Sequence, residues 1–227
     1  MPFPDLADRV AEVRGRIADA VARGGHGQQV TIVAVTKTYG PEAVLAAWEA
    51  GNPDVGENRV QEALAKMPDV AVPVRWHLIG HLQRNKAKSV DRFELVQSVD
   101  SGRLADAIAR VGEDRGTPVR ALMQVNTSGE ASKGGLRPDE AGVEGERWLG
   151  LRGLRVDGVM TMAPLDADEP ILRETFAGAR LVRERLKALG HPATELSMGM
   201  SNDYEIAVEE GATMVRLGTV LFGARSA

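Results

Sequence analysis

The run Thr31-Ile32-Val33-Ala34-Val35-Thr36-Lys37, followed at once by Thr38-Tyr39-Gly40-Pro41, sets the reading of the whole chain. Four of the residues from Thr31 to Val35 are apolar, and three of those four are β-branched. That composition suits a strand covered on both faces, as parallel strands in α/β proteins are. The Gly40-Pro41 pair stops the strand, and Pro41 fits the first position of a following helix, where its missing N–H would have no partner anyway. Lys37 therefore stands at the carboxyl end of a buried strand, where barrels and doubly wound sheets mount ligand chemistry. Position alone leaves a solvated surface charge as the alternative.

Composition narrows the choice. A chain of 227 residues accommodates one sizeable core, and we expect a single domain over residues 1–227. Lys and Arg total 28 against 32 for Asp and Glu, a net charge of −4, which gives no long-range attraction to nucleic acid or anionic lipid. The absence of cysteine excludes a disulfide scaffold, a thiolate metal site and a cysteine nucleophile together. Met1-Pro2-Phe3-Pro4-Asp5 lacks a basic-then-apolar leader pattern and no apolar run reaches membrane-spanning length, so the expectation is a cytoplasmic protein with no membrane partner.

Outward from the first strand, strand and helix signals alternate. Leu6, Val10, Val13, Ile17 and Val21 mark a helical face that precedes any strand and stops at Gly24-Gly25. Further strands are predicted at Asp54–Gly56, Val74–Ile79, Phe93–Val96, Val119–Val125, Leu154–Met160, Thr194–Leu196 and Thr213–Leu217. Helices are expected from Pro41, Val60, Leu104, Pro138, Glu169 and Asp203, with a closing turn at Thr219–Phe222 and a short basic helix over Gln83–Asp91. Eight strands alternating with helices predict an α/β fold of the (β/α)8 TIM-barrel type with an extra N-terminal helix. A Rossmann-type open sheet is the alternative, but no G-x-G-x-x-G follows the first strand.

In a barrel the strand carboxyl ends converge on one mouth. The polar residues assigned there are Lys37, Glu57-Asn58, His81, Asn126, Thr161, Ser197 to Asn202, and Arg216 with Gly218-Thr219. Ser197-Met198-Gly199-Met200-Ser201-Asn202 and Leu217-Gly218-Thr219 follow the strands counted seventh and eighth, the usual phosphate position in such barrels. Flexible backbone, hydroxyls and a helix start favour an anion in each, although Gly and Ser also fill ordinary turns. Arg216 lies in an otherwise apolar strand and needs either an ion-pair partner across the barrel or an electron-rich ligand atom. A lysine able to form a Schiff base, a phosphate cradle and an arginine together suggest pyridoxal 5′-phosphate (PLP).

Several ordered motifs then carry a resemblance: Ala34-Val35-Thr36-Lys37, Gly56-Glu57-Asn58-Arg59-Val60-Gln61-Glu62, Trp76-His77-Leu78-Ile79-Gly80-His81-Leu82-Gln83-Arg84-Asn85-Lys86, Gly158-Val159-Met160-Thr161-Met162, Leu196-Ser197-Met198-Gly199-Met200-Ser201 and Val215-Arg216-Leu217-Gly218-Thr219. From about Val30 to Gly223 the chain resembles the pyridoxal phosphate homeostasis protein family, related to the barrel domain of alanine racemase. The resemblance implies a PLP Schiff base on Lys37, the pyridine nitrogen facing Arg216, phosphate held by Ser201, Gly218 and Thr219, and Asn58 near the ring, with Met200 counted among the cofactor-binding residues. Arg59 stands where the family usually has an aromatic, and Tyr204 where it has an aliphatic residue or Met. The segment Asn126 to Gly135 matches loosely, and Lys133 is given no role.

Among the other polar residues, His77 reads as a core histidine, His81 as a site neighbour, and His26 and His191 as surface. Arg84, Lys86, Lys88 and Arg92 read as a solvated helix face, and Asp166, Asp168 and Glu169 as helix-start charges. A racemase needs an acid/base group on each face of the cofactor, and neither Tyr39 nor Tyr204 is an evident second one beside Lys37. The resemblance implies a non-catalytic PLP carrier acting in vitamin B6 homeostasis, with weak amino-acid chemistry left open, apo PLP-dependent enzymes as candidate recipients and a monomeric state expected. A PLP-dependent amino-acid racemase or lyase is the alternative.

Overall fold

Thr31–Val35 (β1) is hydrogen-bonded in parallel to Asp54–Glu57 (β2) on one side and to Met214–Leu217 (β8) on the other, so the first strand meets the last and the sheet closes. This computed structural model describes residues 3–130 and 133–223. Between β2 and β8 lie Arg75–Leu78 (β3), Leu95–Val99 (β4), Val119–Gln124 (β5), Leu154–Met160 (β6) and Glu195–Ser197 (β7), in sequence order around the barrel. The eight-stranded parallel barrel expected from the sequence is the observed fold.

Helices Pro41–Glu49 (α2), Val60–Lys66 (α3), Gly102–Asp114 (α4), Pro138–Trp148 (α5), Glu169–Leu189 (α6), Tyr204–Glu209 (α7) and Thr219–Phe222 (α8) follow strands, while a 3₁₀ segment, Arg84–Arg92, replaces the helix after β3. Leu6–Gly24 (α1) precedes them all. Its buried stripe of Leu6, Val10, Val13, Ile17 and Ala20 packs on α7, α8 and α2. Arg23 of α1 also bonds Glu209 at 2.5 Å and Glu205 at 3.2 Å.

The main apolar core lies between barrel and helices, where alternate strand residues such as Ile32, Ala34, Val55, Val96 and Val215 face outward onto helix side chains. The opposite face points into the barrel and is mixed. Leu95, Leu122, Met160 and Met214 form a small separate apolar cluster there. Gln97, His77, Ser197 and Arg216 share the strand faces of Leu95, Arg75, Glu195 and Met214 by the same two-residue alternation, and all four are buried. A barrel interior filled by polar side chains must satisfy their hydrogen bonds internally.

Most strand ends differ from their predicted bounds by one residue, and the fourth strand differs by more. The sequence reading ends the fourth strand at Val96, but it runs on through Gln97 and Ser98 to Val99. Both polar residues find partners that water would otherwise supply: Ser98 Oγ donates to Gly80 O at 2.6 Å, and Gln97 bonds Ser197 and His77. A hydropathy pattern cannot register such partners, which come from distant strands. His191, read as surface, is also buried, its Nε2 at 2.8 Å from Gly145 O.

Candidate functional site

At the carboxyl end of the barrel lies a cavity of about 690 Å³, within the range of small-molecule sites. All seven residues expected to hold the cofactor line it: Lys37, Asn58, Met200, Ser201, Arg216, Gly218 and Thr219. Chain segments as far apart in sequence as Lys37 and Thr219 are brought together because every parallel strand delivers its carboxyl end to the same mouth.

Lys37 sits on a tight turn. Tyr39 N–H donates to Thr36 O at 3.2 Å, and Thr38 adopts φ = 70°, the left-handed conformation at the third position of a type II turn. For a β-branched residue that conformation costs about 1–2 kcal/mol. Two devices hold the turn. On one side Tyr39 packs its ring against Phe3 and Phe222, with centroids 5.4 Å away in each case, and Phe3 and Phe222 stand 5.2 Å apart. Phe222 ends α8, so the same cluster ties the lysine turn to the helix that begins at Gly218-Thr219. On the other side Lys66 Nζ donates to Thr36 O at 2.9 Å and to Glu57 Oε1 at 2.7 Å, and Thr36 Oγ1 donates to the same Oε1 at 2.6 Å. Glu57 is fully buried, and its Oε2 has no hydrogen-bond partner among the described residues.

Asn58 follows β2, and its backbone is braced by Gly80. A Cβ on Gly80 would fall 2.4 Å from Asn58 O and 2.7 Å from Asn58 Cα, so only glycine lets these two strand exits pack so closely. His81, as expected, borders the cavity. Its Nδ1 lies 3.0 Å from Asp100 Oδ2, and the imidazole is otherwise exposed. Asp100 was missed by the sequence reading because the strand before it was ended too early.

Arg216 is the buried cation of the site. Its Nη1 donates to Ser197 Oγ at 2.7 Å and its Nη2 to Thr161 O at 2.9 Å. No carboxylate among the described residues forms an ion pair with it, so the alternative of a salt bridge across the barrel is not what is found. Burial pulls its pKa down to about 10, only partly offset by the nearby Asp203 carboxylate, and it stays charged at neutral pH. Two of its five donors are used inside the protein, which leaves others for an acceptor in the cavity.

The corner after β7 and β8 suits an anion. Ser201 Oγ accepts from Val220 N–H at 3.3 Å, tying the two loops together, and Met200 N–H donates to Asp203 Oδ1 at 2.5 Å. The N–H groups of Ser201 and Gly218 meet no acceptor among the described residues. Two unspent donors beside hydroxyls and the start of α8 match the needs of a phosphate, whereas a wall of carbonyls would not. Asp203 is held above the ordinary carboxylate range by burial, against the pull of the Met200 N–H and of Arg216.

Lys133 lies outside the cavity lining, 3.8 Å from Glu130, and the segment Asn126 to Gly135 includes residues 131 and 132, outside the described residues. Neighbouring Gly134 does line the cavity, with its carbonyl accepting from Gln124 Nε2 at 2.8 Å. Asp168 caps α6 through Ile171 N–H, in keeping with a helix-start charge. No group of metal-ligating side chains and no helix long and apolar enough to cross a membrane occurs among the described residues.

Comparison with known proteins places this geometry. The profile of the family described as alanine racemase, N-terminal domain, matches residues 12–226. The pyridoxal phosphate homeostasis protein of Pseudomonas aeruginosa is 40% identical over 223 residues, covering 97% of this chain and 96% of that one. Its counterpart from Aquifex aeolicus is 38% identical, covering 97% and 99%. The structure of PipY from Synechococcus elongatus with PLP bound is 35% identical and superposes with a TM-score of 0.85, over 96% of this chain and 100% of that one.

Proposed function

The chain belongs to the alanine racemase N-terminal domain family and, within it, to the pyridoxal phosphate homeostasis proteins, and from that premise we propose that it binds PLP at the barrel mouth as a carrier. The observation that carries this reading is the convergence of Lys37, the buried Arg216 and the loops of Ser201 and Gly218-Thr219 on one cavity. Lys37 supplies the amine that holds the cofactor's aldehyde carbon as a Schiff base. Ser201, Gly218 and Thr219 take the phosphate, Asn58 and Met200 flank the ring, and Arg216 faces the ring nitrogen.

PLP supplies an electron sink for carbanion chemistry when its ring nitrogen is protonated. Arg216 works against that, since a guanidinium can only donate and so favours an unprotonated acceptor. Tyr204 does not line the cavity, and the ring of Tyr39 is engaged with Phe3 and Phe222. Storage and delivery of the cofactor follow better from these residues than turnover does. We also infer a monomeric, cytoplasmic protein whose partners are apo PLP-dependent enzymes.

The test is a visible spectrum of the purified protein with added PLP, before and after borohydride, followed by mass mapping. A Schiff-base band that becomes a reduced adduct on Lys37 and is absent in Lys37→Ala supports the assignment. A band that survives that substitution overturns it. Incubation with a panel of L- and D-amino acids checks the racemase or lyase alternative: Lys37-dependent turnover of any of them would establish it in place of the carrier.

A further inference from the structure

Four buried residues below Arg216 form a continuous line of hydrogen bonds through the barrel interior. Arg216 Nη1 donates to Ser197 Oγ at 2.7 Å, and Ser197 Oγ donates to Gln97 Oε1 at 2.6 Å. Gln97 Nε2 lies 3.0 Å from His77 Nδ1 and 3.8 Å from Met214 Sδ, and His77 Nε2 lies 3.0 Å from Asp54 Oδ1. Arg75 closes the far end on Asp54 at 2.7 and 2.5 Å. The line crosses from β8 to β7, β4, β3 and β2, and runs from the mouth to the opposite end of the barrel.

Its direction is forced by its ends. Arginine has no acceptor, so Ser197 Oγ must accept from Arg216 and send its own hydrogen to Gln97 Oε1. The amide then presents Nε2–H to His77, whose Nδ1 must be the bare nitrogen, and the ring hydrogen on Nε2 goes to the Asp54 carboxylate. Burial alone would raise Asp54, yet the bonds from His77 and Arg75 outweigh it and hold the carboxyl below its ordinary range, so it is an acceptor at neutral pH. From Arg216 through His77 every donor along the line points away from the cofactor corner, and Arg75 meets Asp54 from the other side.

We propose that Ser197, Gln97, His77 and Asp54 are positioning residues for Arg216: a one-way donor chain that fixes the guanidinium's orientation so that its remaining N–H groups meet the ring nitrogen of PLP. This rests on the PLP reading above. A buried arginine without a carboxylate partner has many rotamers to choose from, and the chain selects one by giving Nη1 a single acceptor of fixed orientation.

The test uses the full chain, with PLP and with a PLP analogue carrying carbon in place of the ring nitrogen as probes. Ser197→Ala and Gln97→Leu are expected to weaken PLP binding about tenfold, the scale of one hydrogen bond to a charged group, and to leave the analogue within about twofold. Gln97→Glu keeps the acceptor for Ser197 and draws a proton onto His77 Nδ1, so it is expected to retain affinity better than Gln97→Leu. A role confined to packing predicts the reverse, since leucine fills the site and a buried carboxylate does not. Imidazole ¹⁵N spectra of the cofactor-free protein give a readout independent of PLP, with the neutral Nε2–H tautomer expected for His77. Equal losses for PLP and the analogue, unchanged PLP binding in Ser197→Ala, or an Nδ1–H tautomer overturns the proposal. Failure of the wild type to bind PLP strikes the carrier reading, whereas tight wild-type binding with unaffected variants strikes only the chain.

Discussion

Lys66→Met tests whether the buried ion pair beneath the lysine turn holds that turn in place. Glu57 is fully buried, and its Oε1 accepts from both Lys66 Nζ and Thr36 Oγ1 while Oε2 has no partner among the described residues. Methionine keeps most of the volume and apolar stem of Lys66, so lost packing is small. What remains is a buried carboxylate with a single hydroxyl donor, together with a Thr36 carbonyl that has lost Nζ at 2.9 Å. Breaking a buried pair from one side costs about 3–5 kcal/mol. At this chain length each kcal/mol is worth about 2–4 °C, so the melting temperature should fall by roughly 6–20 °C. Adding Glu57→Gln should recover most of the loss, because the amide removes the stranded charge while its oxygen still accepts from Thr36. Urea and thermal unfolding of wild type, both single variants and the double variant provide the comparison. A loss below about 1 kcal/mol in Lys66→Met, or a double variant equal to the sum of the singles, would refute the reasoning.

Three further outcomes are expected. Gly80→Ala should displace Asn58, since the added methyl meets its backbone at 2.4 Å; PLP affinity measured by absorbance titration should drop at least tenfold, and unchanged affinity would show that the Asn58 exit moves freely. Thr38→Gly removes the side-chain cost of φ = 70° but adds chain entropy to the unfolded state, so urea denaturation should show a change between about 0 and 1 kcal/mol in the stabilising direction, and a clear loss would mean that the Thr38 side chain contributes a contact of its own. Asp203→Asn keeps an acceptor for Met200 N–H while removing a carboxyl whose folded pKa lies above its unfolded value. Such a group lowers stability as pH rises through that interval, so the variant should gain on the wild type between acidic and neutral pH, as read from urea midpoints, and a flat difference would exclude the burial effect.

Much of the fold was legible because its cause is local. Ile32, Val33 and Val35 read as a two-face-covered strand, Pro41 as a helix start and Gly190 as a helix stop, and each does so through short-range chemistry that the sequence states outright. The seven residues expected to hold the cofactor were likewise legible as lining one mouth, since counting eight strands assigns all their carboxyl ends to it. Gln97, Asp100 and Lys66 were not. A glutamine inside a strand reads as the strand's end until Ser197, a hundred residues later, and His77 are known to flank it. Lys66 carries no signal in the sequence, and its role appears only once Glu57 and the Thr36 carbonyl are found beneath it. The sequence by itself determined that Lys37, Arg216 and two glycine-bearing loops share the end of one barrel, because strand alternation and order require it. Only the tertiary structure decided how Lys37 and Arg216 are held, because hydrogen bonds among buried polar groups depend on which distant strands the closed barrel sets face to face.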